Sequence, residues 1–507
     1  MSIRKTLALV FSAIFCTSCQ QSGLTLSLSP AGDPSVAPDG SVMAAWTQIT
    51  GNSSPSELSG LARFIVAGTA NTQVCGEFSL KASSGILADF SPRDNVAPAE
   101  FAVTVCETNF SPAWTSAALL HNGNSVNLWA PGSQTGPIAT FPTLYSVGRR
   151  TDGAIKMATV GDTGCRDNGD QSCDTEAEWP FETLAKAATA TKSDFVLHVG
   201  DYRYSHKGSD DIWTYWYQEF FYPAQSLLLD APWAFVRGNH ETCGYSGTSS
   251  LSSPWGTGWF YFLQHNTISN TVSCGTTGAP YQSPWYFDVG VKTGDSFNDS
   301  HRFIVMDSSN DDLNTQLTDN FVTMLDYSDS ATSSWWAGHR PIWGIDPFSP
   351  VTVLEANLEQ SLQSAITSYG KTSTCWPTDN LPCSLKTVIT GHIHNLERIQ
   401  FFDTGTKATN WLRPQQYIIG NTGVDLDPAM QQSPCSFTVP QGDPGQFGAN
   451  LKATVDWAEE FGFSLWQRPA TGEPSGWSES RHFYENGAMK TVMPAQLNGN
   501  TNYPVCQ

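Results

Sequence analysis

The sequence predicts an α/β protein, with strands and helices in layers, preceded by a smaller all-β domain. Between residues 150 and 430, short apolar runs alternate with segments whose apolar residues recur at helical spacing. Residues 59–149 instead contain only short β-branched or aromatic runs, separated by Gly, Pro and Asn. A chain of 507 residues is long enough for two or three such domains.

Two segments of the α/β region, residues 150–430, are predicted to be helices. Residues 179–192 place Phe181, Leu184 and Ala188 on one face. Residues 351–369 carry a stripe of Leu side chains and end before Gly370, since Gly commonly terminates helices. Strands are predicted at residues 155–160, 195–199, 302–306, 334–337, 387–390 and 416–419.

The regions on either side are predicted to be mostly β. Residues 59–149 are interpreted as a small β-sandwich with strands at residues 61–66, 73–80, 101–106, 125–129 and 140–147. Residues 431–507 contain strand-like runs at 462–466 and 481–484, which predict a C-terminal β extension of the α/β domain. Residues 20–58 are rich in Ser, Gly, Pro and Thr and are predicted to be a linker.

The N-terminus is typical of an export signal. Arg4 and Lys5 precede an apolar run over residues 7–15 that is too short to span a membrane as a helix. Residues 1–19 are therefore predicted to be a signal peptide. Because a small residue precedes Cys19, acylation of Cys19 in a lipoprotein is one prediction, and simple secretion is the other. The protein is expected to be periplasmic, lipid-anchored at a membrane or cell surface, or secreted.

The ten cysteines after residue 19 suggest disulfides, because the number is even and the chain is predicted to be exported. Sequence alone does not fix which cysteines pair. Proximity along the chain suggests the pairs Cys75–Cys106, Cys165–Cys173, Cys243–Cys274, Cys375–Cys383 and Cys435–Cys506.

The charge of the chain argues against nucleic acid as a partner. The formal net charge is -21, and no run of Lys or Arg is present to form a basic face. An anionic phosphate substrate would therefore need positive charge at the binding site itself. A bound metal ion would supply it.

Five short motifs follow apolar runs and supply oxygen and nitrogen ligands. They are Gly161-Asp162-Thr163-Gly164, Gly200-Asp201-Tyr202-Arg203-Tyr204, Gly238-Asn239-His240-Glu241, Gly338-His339-Arg340-Pro341 and Gly391-His392-Ile393-His394-Asn395. Ligands of open α/β sheets bind beyond the carboxyl ends of the strands, so these side chains are expected to meet in one crevice. Each motif alone is weak evidence, and their joint order carries the prediction.

The types of side chain narrow the metals. Carboxylate, phenolate, amide and imidazole groups suit Fe, Zn or Mn. Asp201 is the natural carboxylate to bridge two ions. A phenol has a pKa near ~10, so Tyr204 would act as an anionic ligand only beside a strong Lewis acid, for which Fe(III) is the first candidate.

With these motifs, residues 150–430 resemble the purple acid phosphatases of the calcineurin-like metallophosphoesterase superfamily. The motifs that begin at Gly338 and Gly391 are most similar to those of the smaller, tartrate-resistant mammalian-type branch. The resemblance implies a layered metallophosphoesterase β-sandwich flanked by helices. It also implies an acid phosphatase that attacks phosphate monoesters with a metal-bound hydroxide.

The resemblance implies a role for each matching residue. Asp162, Tyr204 and His394 would hold Fe(III). Asn239, His339 and His392 would hold a divalent Fe, Zn or Mn, and Asp201 would bridge the two ions. Asn239 and His240 would contact the substrate, and His240 would steady the phosphate or protonate the leaving oxygen as the catalytic side chain.

Other residues near the motifs have two interpretations each. His206 is a candidate substrate contact or a solvated loop histidine. Arg340 is predicted to contact a second phosphate group or a nearby carboxylate. The aromatic residues at 255–261 are expected to pack in the core, with a pocket wall as the alternative.

Two further hypotheses of function stay open beside a phosphomonoesterase acting on small-molecule phosphate esters. One is a phosphodiesterase or nucleotidase that uses the same site. The other is a non-catalytic surface-binding protein. The presence of all seven ligand residues argues against a decayed site.

Overall fold

The fold is seen in a computed structural model. The model describes residues 33–54, 57–68, 73–93, 101–132, 135–148, 154–166, 171–204, 212–243, 256–265, 281–293, 296–310, 315–343, 345–346, 349–353, 356–376, 380–403, 413–428, 433–438, 451–469 and 476–493.

The strands of these residues are numbered in chain order. They are β1 Val42–Ser54, β2 Glu57–Ala67, β3 Phe78–Ala82, β4 Leu87–Asp89, β5 Ser91–Pro92, β6 Val103–Phe110, β7 Ala117–His121, β8 Asn124–Ser125, β9 Thr140–Phe141, β10 Ile155–Val160, β11 Phe195–His198, β12 Trp233–Phe235, β13 Trp285–Thr293, β14 Ser296–Val305, β15 Ser334–Ala337, β16 Ile345–Asp346, β17 Ser349–Val353, β18 Leu385–Thr390, β19 Leu396–Asp403, β20 Gln415–Ile419, β21 Cys435–Thr438, β22 Leu451–Ala458, β23 Gly462–Arg468, β24 Ser478–Glu485 and β25 Ala488–Val492.

The α-helices are shorter and fewer. They are α1 Tyr145–Gly148, α2 Phe181–Ala190, α3 Trp213–Trp216, α4 Gln225–Leu228, α5 Gly256–Phe262, α6 Thr315–Asp329 and α7 Ala356–Tyr369. A π-helical turn over Tyr217–Phe221 follows α3, and short 3-10 turns lie at Pro34–Val36, Val74–Glu77 and Asn239–Glu241.

Two large sheets form the centre of the molecule. One has the strand order β25-β24-β23-β10-β11-β12-β1-β2-β6-β5, and the other β13-β14-β15-β18-β20-β19-β22-β21. Their inner faces share an apolar core, in which the ring of Phe195 on the first sheet meets those of Phe287 and Phe303 on the second at centroid distances of 5.7 and 5.4 Å. Helix α2 packs on the outside of the first sheet, and α6 and α7 pack outside the second.

This arrangement confirms the predicted fold class, a layered α/β β-sandwich flanked by helices with a β-rich N-terminal region. Strands β10 and β15 have the predicted bounds, and β11, β14, β18 and β20 overlap the predicted runs. Helix α2 lies within the predicted residues 179–192 and buries Phe181, Leu184 and Ala188, as its pattern indicated.

The prediction of a loose linker was wrong for residues 42–54. These residues form β1, which pairs with β2 and lies parallel to β12 through the Gln48–Trp233 register. The run Met43–Trp46 is fully buried, and this apolar stretch was masked by the Ser-, Gly- and Pro-rich composition around it. The N-terminal strands β1, β2, β5 and β6 therefore continue the first large sheet.

Smaller corrections concern local propensity. The predicted strand at 73–80 is a 3-10 turn followed by β3, that at 125–129 is strand only over β8, and that at 140–147 is β9 followed by α1. The predicted helix at 351–369 begins only at Ala356. Residues Val351, Thr352 and Val353 before it belong to β17, because β-branched side chains favour strands.

The C-terminal residues add strands to both sheets. Strand β22 pairs antiparallel with β19, and β23 pairs antiparallel with β10, the strand that precedes Asp162. The predicted runs at 462–466 and 481–484 lie in β23 and β24.

Disulfides link Cys75 to Cys106, Cys165 to Cys173 and Cys375 to Cys383, as proximity suggested. Cys243 and Cys435 are also disulfide-bonded, and their predicted partners Cys274 and Cys506 lie outside the described residues. Such bonds are typical of proteins that fold outside the reducing cytoplasm. Within the described parts of the chain, no helix combines the length and apolar character needed to cross a membrane.

Candidate metal centre

Seven side chains from the five motifs converge where the strands of both sheets end. The first sheet contributes three loops: Asp162 follows β10, Asp201 and Tyr204 follow β11, and Asn239 follows β12. The second sheet contributes two: His339 follows β15, and His392 and His394 follow β18. Neighbouring parallel strands present their carboxyl ends at the same edge, and this explains why residues so distant in sequence meet.

One half of the cluster surrounds the phenolic oxygen of Tyr204. That oxygen lies 2.9 Å from Asp162 Oδ1, 2.8 Å from Asp201 Oδ2 and 3.1 Å from His394 Nε2. Asp162, Asp201 and Tyr204 are essentially buried, and His394 is 5% exposed. A single phenolic proton therefore faces several atoms that carry lone pairs.

The other half surrounds the amide oxygen of Asn239. Both His339 Nε2 and His392 Nδ1 lie 2.7 Å from Asn239 Oδ1. The ring of His339 is oriented by its Nδ1, which lies 2.8 Å from the carbonyl oxygen of Val199, so that Nδ1–H donates and Nε2 keeps its lone pair. One atom each from Asp201, His339 and His392 can be chosen so that all three lie within 4.8 Å of one another.

Asp201 connects the two halves. Its Oδ2 contacts the Tyr204 oxygen, whereas its Oδ1 lies 3.3 Å from His339 Nε2. The backbone N–H of His240 donates to the same Oδ1 at 2.9 Å and fixes the carboxylate plane. One carboxylate thus presents one oxygen to each half.

The backbone at the centre is held in an uncommon conformation. Asp162, Asp201 and His392 have φ values of 54°, 57° and 76°, in the left-handed region that costs a non-glycine residue of the order of 1–3 kcal/mol. The conformation is fixed by hydrogen bonds from Asp162 N to Gly200 O (2.9 Å) and from His392 N to Asp162 Oδ2 (3.0 Å). Strain of this kind concentrates at functional sites.

Two motif glycines are required by close packing. A Cβ atom on Gly238 would lie 2.1 Å from the nitrogen of Asp201, and one on Gly391 would lie 2.3 Å from Asp162 Oδ2. Neither the backbone nitrogen of Asp201 nor the carboxylate oxygen of Asp162 can move away without disturbing the cluster. These glycines therefore permit the loops from the two sheets to approach.

The pKa values of the two buried carboxyl groups are shifted in opposite directions. Burial and the charge of Asp201 raise the pKa of Asp162 well above its usual range. Burial also disfavours the charged form of Asp201, but the imidazoles of His339 and His240 outweigh it and lower the pKa of Asp201 well below its usual range. Without a cation, this environment favours the protonated form of Asp162 and the charged form of Asp201.

The pKa values of Tyr204 and His394 are shifted as well. Burial and the carboxyl groups of Asp162 and Asp201 raise the pKa of Tyr204 well above its usual range. Burial and the guanidinium of Arg166 lower the pKa of His394 well below its usual range. A neutral imidazole is the form that can ligate a metal.

The residues present fit a metal centre. Carboxylate, phenol, amide and imidazole atoms lie so close together that the lone pairs of neighbouring oxygen and nitrogen atoms face one another. A cation bound between these atoms would accept the lone pairs and balance the negative charge. This chemistry, together with three potential ligand atoms from Asp201, His339 and His392 in one small volume, makes the cluster a candidate metal site.

Several outer groups were not predicted. Asp427 Oδ2 accepts the backbone N–H of His394 at 2.9 Å and lies 3.8 Å from His394 Nδ1. Glu241 accepts the N–H groups of Tyr202 and Gly238 at 3.0 and 3.2 Å. Asp427 lies in no motif, so no sequence signal could have found it, whereas Glu241 closes the motif that contains Asn239.

His198 connects the loop that follows β10 to the loop that follows β11. Its Nδ1 accepts the backbone N–H of Gly200 at 3.1 Å, so the ring proton is on Nε2, which donates to Thr163 Oγ1 at 2.9 Å. Its ring stacks on that of Tyr202 at 4.0 Å, and burial lowers the pKa of His198 well below its usual range. His198 is thus a neutral bracket between the loops that carry Asp162 and Asp201.

The remaining candidates have separate environments. His206 lies outside the described residues, and its possible contact with substrate stays a prediction. Trp259, Phe260 and Tyr261 are buried in the core beside the first sheet, which agrees with the packing interpretation, and Trp255 lies outside the described residues. Arg340 reaches the centre, with its Nη1 3.1 Å from His392 Nε2.

Comparisons with known proteins found one matching family model and several similar solved structures. Residues 155–396 match the family described as calcineurin-like phosphoesterase, and no curated protein matches the chain. The purple acid phosphatase PPD1 from seeds of yellow lupin (Lupinus luteus) is similar with a TM-score of 0.52 and 12% identity, over 91% of this chain and 76% of that chain. PhoD gives a TM-score of 0.48 and 11% identity, over 89% of this chain and 88% of that chain. At 12% identity, the lupin structure supports the fold alone.

The bracket formed by His198 gives a first prediction. His198→Phe keeps a ring for stacking but leaves the Thr163 hydroxyl and the Gly200 N–H without their partner. We expect metal affinity to fall by about 10- to 100-fold, the usual loss when a group that orients ligands is removed. Metal titration of the purified protein measures this. His482→Phe, at a ring stacked on Phe463 outside the centre, is the control and should bind metal normally. Unchanged affinity in His198→Phe would show that the bracket does not organise the site.

Proposed function

Because the chain contains a calcineurin-like metallophosphoesterase domain, we propose that it is an exported acid phosphatase that hydrolyses small-molecule phosphate monoesters at a dinuclear metal site. The observation that carries the proposal is the position of Asp201 between two sets of potential ligands. A carboxylate placed between two sets of ligands suits a two-metal hydrolase, and phosphatases are among the enzymes that use such centres.

We assign the ligands as the two halves of the cluster suggest. Asp162, Tyr204 and His394 would hold Fe(III), while Asn239, His339 and His392 would hold a divalent Fe, Zn or Mn. Asp201 would lie between the ions. When bound, the metals would supply Lewis-acid charge that activates water and stabilises the negative charge of the transition state.

The protein side chains have distinct tasks in this scheme. The carbonyl of Val199 fixes the tautomer of His339, and Asp427 orients His394. The ring of His240 lies against that of Tyr204, with centroids 4.1 Å apart, and its Nε2 is 4.0 Å from Asp201 Oδ2. His240 would therefore stand beside the reacting phosphate and deliver a proton to the departing alcohol oxygen.

Export is supported by the signal-like N-terminus and by the disulfides. Lipid anchoring through Cys19 would keep the enzyme at a membrane surface. Phosphate released outside the cytoplasm would then be available for uptake, which suits a scavenging role.

The reaction class can be tested with para-nitrophenyl phosphate and bis-para-nitrophenyl phosphate. We expect a kcat/KM at least about tenfold higher for the monoester, which corresponds to ~1.4 kcal/mol in the transition state. Removal of metal by a chelator should abolish both activities, and readdition should restore them. A preference for the diester would instead favour a phosphodiesterase, and inactivity of the metal-loaded protein would favour the binding-protein hypothesis.

The metal assignment predicts a colour. Purified protein should contain about two metals per chain and show a broad visible band from charge transfer between Tyr204 and Fe(III). Tyr204→Phe should remove the band. Tyr202→Phe is the matched control, because the Tyr202 hydroxyl donates to Val236 O and not into the cluster. A colourless native protein with two zinc ions would refute Fe(III) and leave hydrolysis possible.

The role of His240 predicts a dependence on the leaving group. Because a good leaving group needs little protonation, His240→Asn should lower kcat by about 10²–10⁴-fold for an alkyl phosphate and clearly less for para-nitrophenyl phosphate. Rates across a series of alcohols of increasing pKa measure the difference. Equal losses along the series would assign His240 to phosphate binding alone.

A further inference from the structure

Arg340 is held at the edge of the metal centre by the loop that follows β14. Its backbone N–H donates to Ser308 Oγ at 3.0 Å, and its side-chain Nε donates to Ser309 O at 3.2 Å. With Nε fixed in this way, the outer part of the guanidinium points to the ring of His392, and Nη1 lies 3.1 Å from His392 Nε2, the nitrogen on the side away from Asn239. The side chain is half-buried, so it adjoins both the centre and the solvent.

The contact between Arg340 and His392 conflicts with metal binding. His392 presents Nδ1 to Asn239 at 2.7 Å, on the side where the divalent ion is proposed. An imidazole that ligates through Nδ1 carries its proton on Nε2, and a guanidinium has only donors. In the metal-loaded protein two donors would face each other, so Nη1 would need an acceptor other than His392, and an oxygen of a substrate bound beside the ring can supply it.

Arg166 occupies the opposite side of the cluster. Its Nη2 lies 3.5 Å from His394 Nδ1, and its guanidinium lies 5.6 Å from the centroid of the Tyr204 ring. The neighbouring Cys165 is bonded to Cys173, and the backbone N–H of Arg166 donates to Gln171 Oε1 at 2.8 Å. The disulfide thus fixes the backbone from which Arg166 reaches the site.

We propose that Arg340 and Arg166 form a two-arginine clamp on the substrate phosphoryl group, which makes the site selective for phosphate monoester dianions over diester monoanions. This proposal rests on the phosphatase function proposed above. Arginine matches phosphate oxygens with paired N–H groups and does not lose its charge at physiological pH.

The preference follows from charge and the number of oxygens. A monoester dianion offers three non-bridging oxygens and two negative charges, whereas a diester offers two oxygens and one charge. Each guanidinium therefore gains more from the monoester. The gain is large in a centre lined by buried groups, where water screens charge poorly.

The test compares Arg340→Met, Arg166→Met and Arg340→Lys with wild type on the monoester and diester named above. We expect Arg340→Met to lower kcat/KM for the monoester by roughly 10²–10³-fold and that for the diester by much less. Arg340→Lys keeps the positive charge but loses the paired N–H groups, so its kcat/KM for the monoester should lie between those of wild type and Arg340→Met. Arg398→Met, on β19 with its guanidinium against Tyr417 and Gln415, is the matched control and should change neither rate.

A second measurement separates binding from structure and from activity. Calorimetric titration with inorganic phosphate should give a clearly larger Kd for both Met variants than for wild type, while the metal content stays at the wild-type value. Equal loss on both esters, or unchanged phosphate affinity with metals retained, would overturn the clamp. If wild type hydrolyses neither ester, the phosphatase proposal fails, and the phosphate titration alone still decides whether the two arginines bind a phosphoryl group.

Discussion

The structure around the candidate site is organised by one electrostatic constraint, the burial of Asp162 and Asp201 side by side. Two carboxylates removed from water repel each other, and only protons or cations can compensate them. Proton uptake by one carboxyl is the metal-free solution, and metal binding is the solution that the surrounding imidazole, phenol and amide groups favour. The left-handed backbone at both aspartates is maintained because each conformation delivers a carboxylate to this shared point.

Regions remote in sequence support the same point. Buried Arg63 and Arg93 share the carboxylate of Glu107, and both donate to the carbonyl of Gln264 at the end of α5. Cations at the carboxyl end of a helix stabilise it by interacting favourably with the helix dipole. Helix α5 in turn lays Phe260 on the guanidinium of Arg237, 4.5 Å from the ring centroid. Because Arg237 donates to the carbonyl of Glu241, the N-terminal strands help to fix the turn that carries Asn239 and His240.

The sequence predicted the parts of the molecule whose signals are local. A glycine, a potential ligand and an apolar strand stand together in each motif, so the convergence of these side chains at one sheet edge could be predicted before the structure was known. The strand β1 could not, because its apolar residues stand in a polar neighbourhood and its pairing with β12 spans 185 residues of sequence. Asp427 and His198 could not either, since their significance comes from distances to loops that only the fold brings near.

The acidic character of the chain does not oppose an anionic substrate as strongly as its net charge suggests. Charges on the outer surface are screened beyond a Debye length of about 8 Å at physiological salt, so most of the -21 acts weakly at the centre. Buried groups at the centre are screened much less, and there the sign would be set by bound metal ions and by Arg166 and Arg340 against the buried carboxylates. A surface that repels weakly and a centre that attracts strongly would favour small phosphate esters over large polyanions, which must also meet the acidic surface.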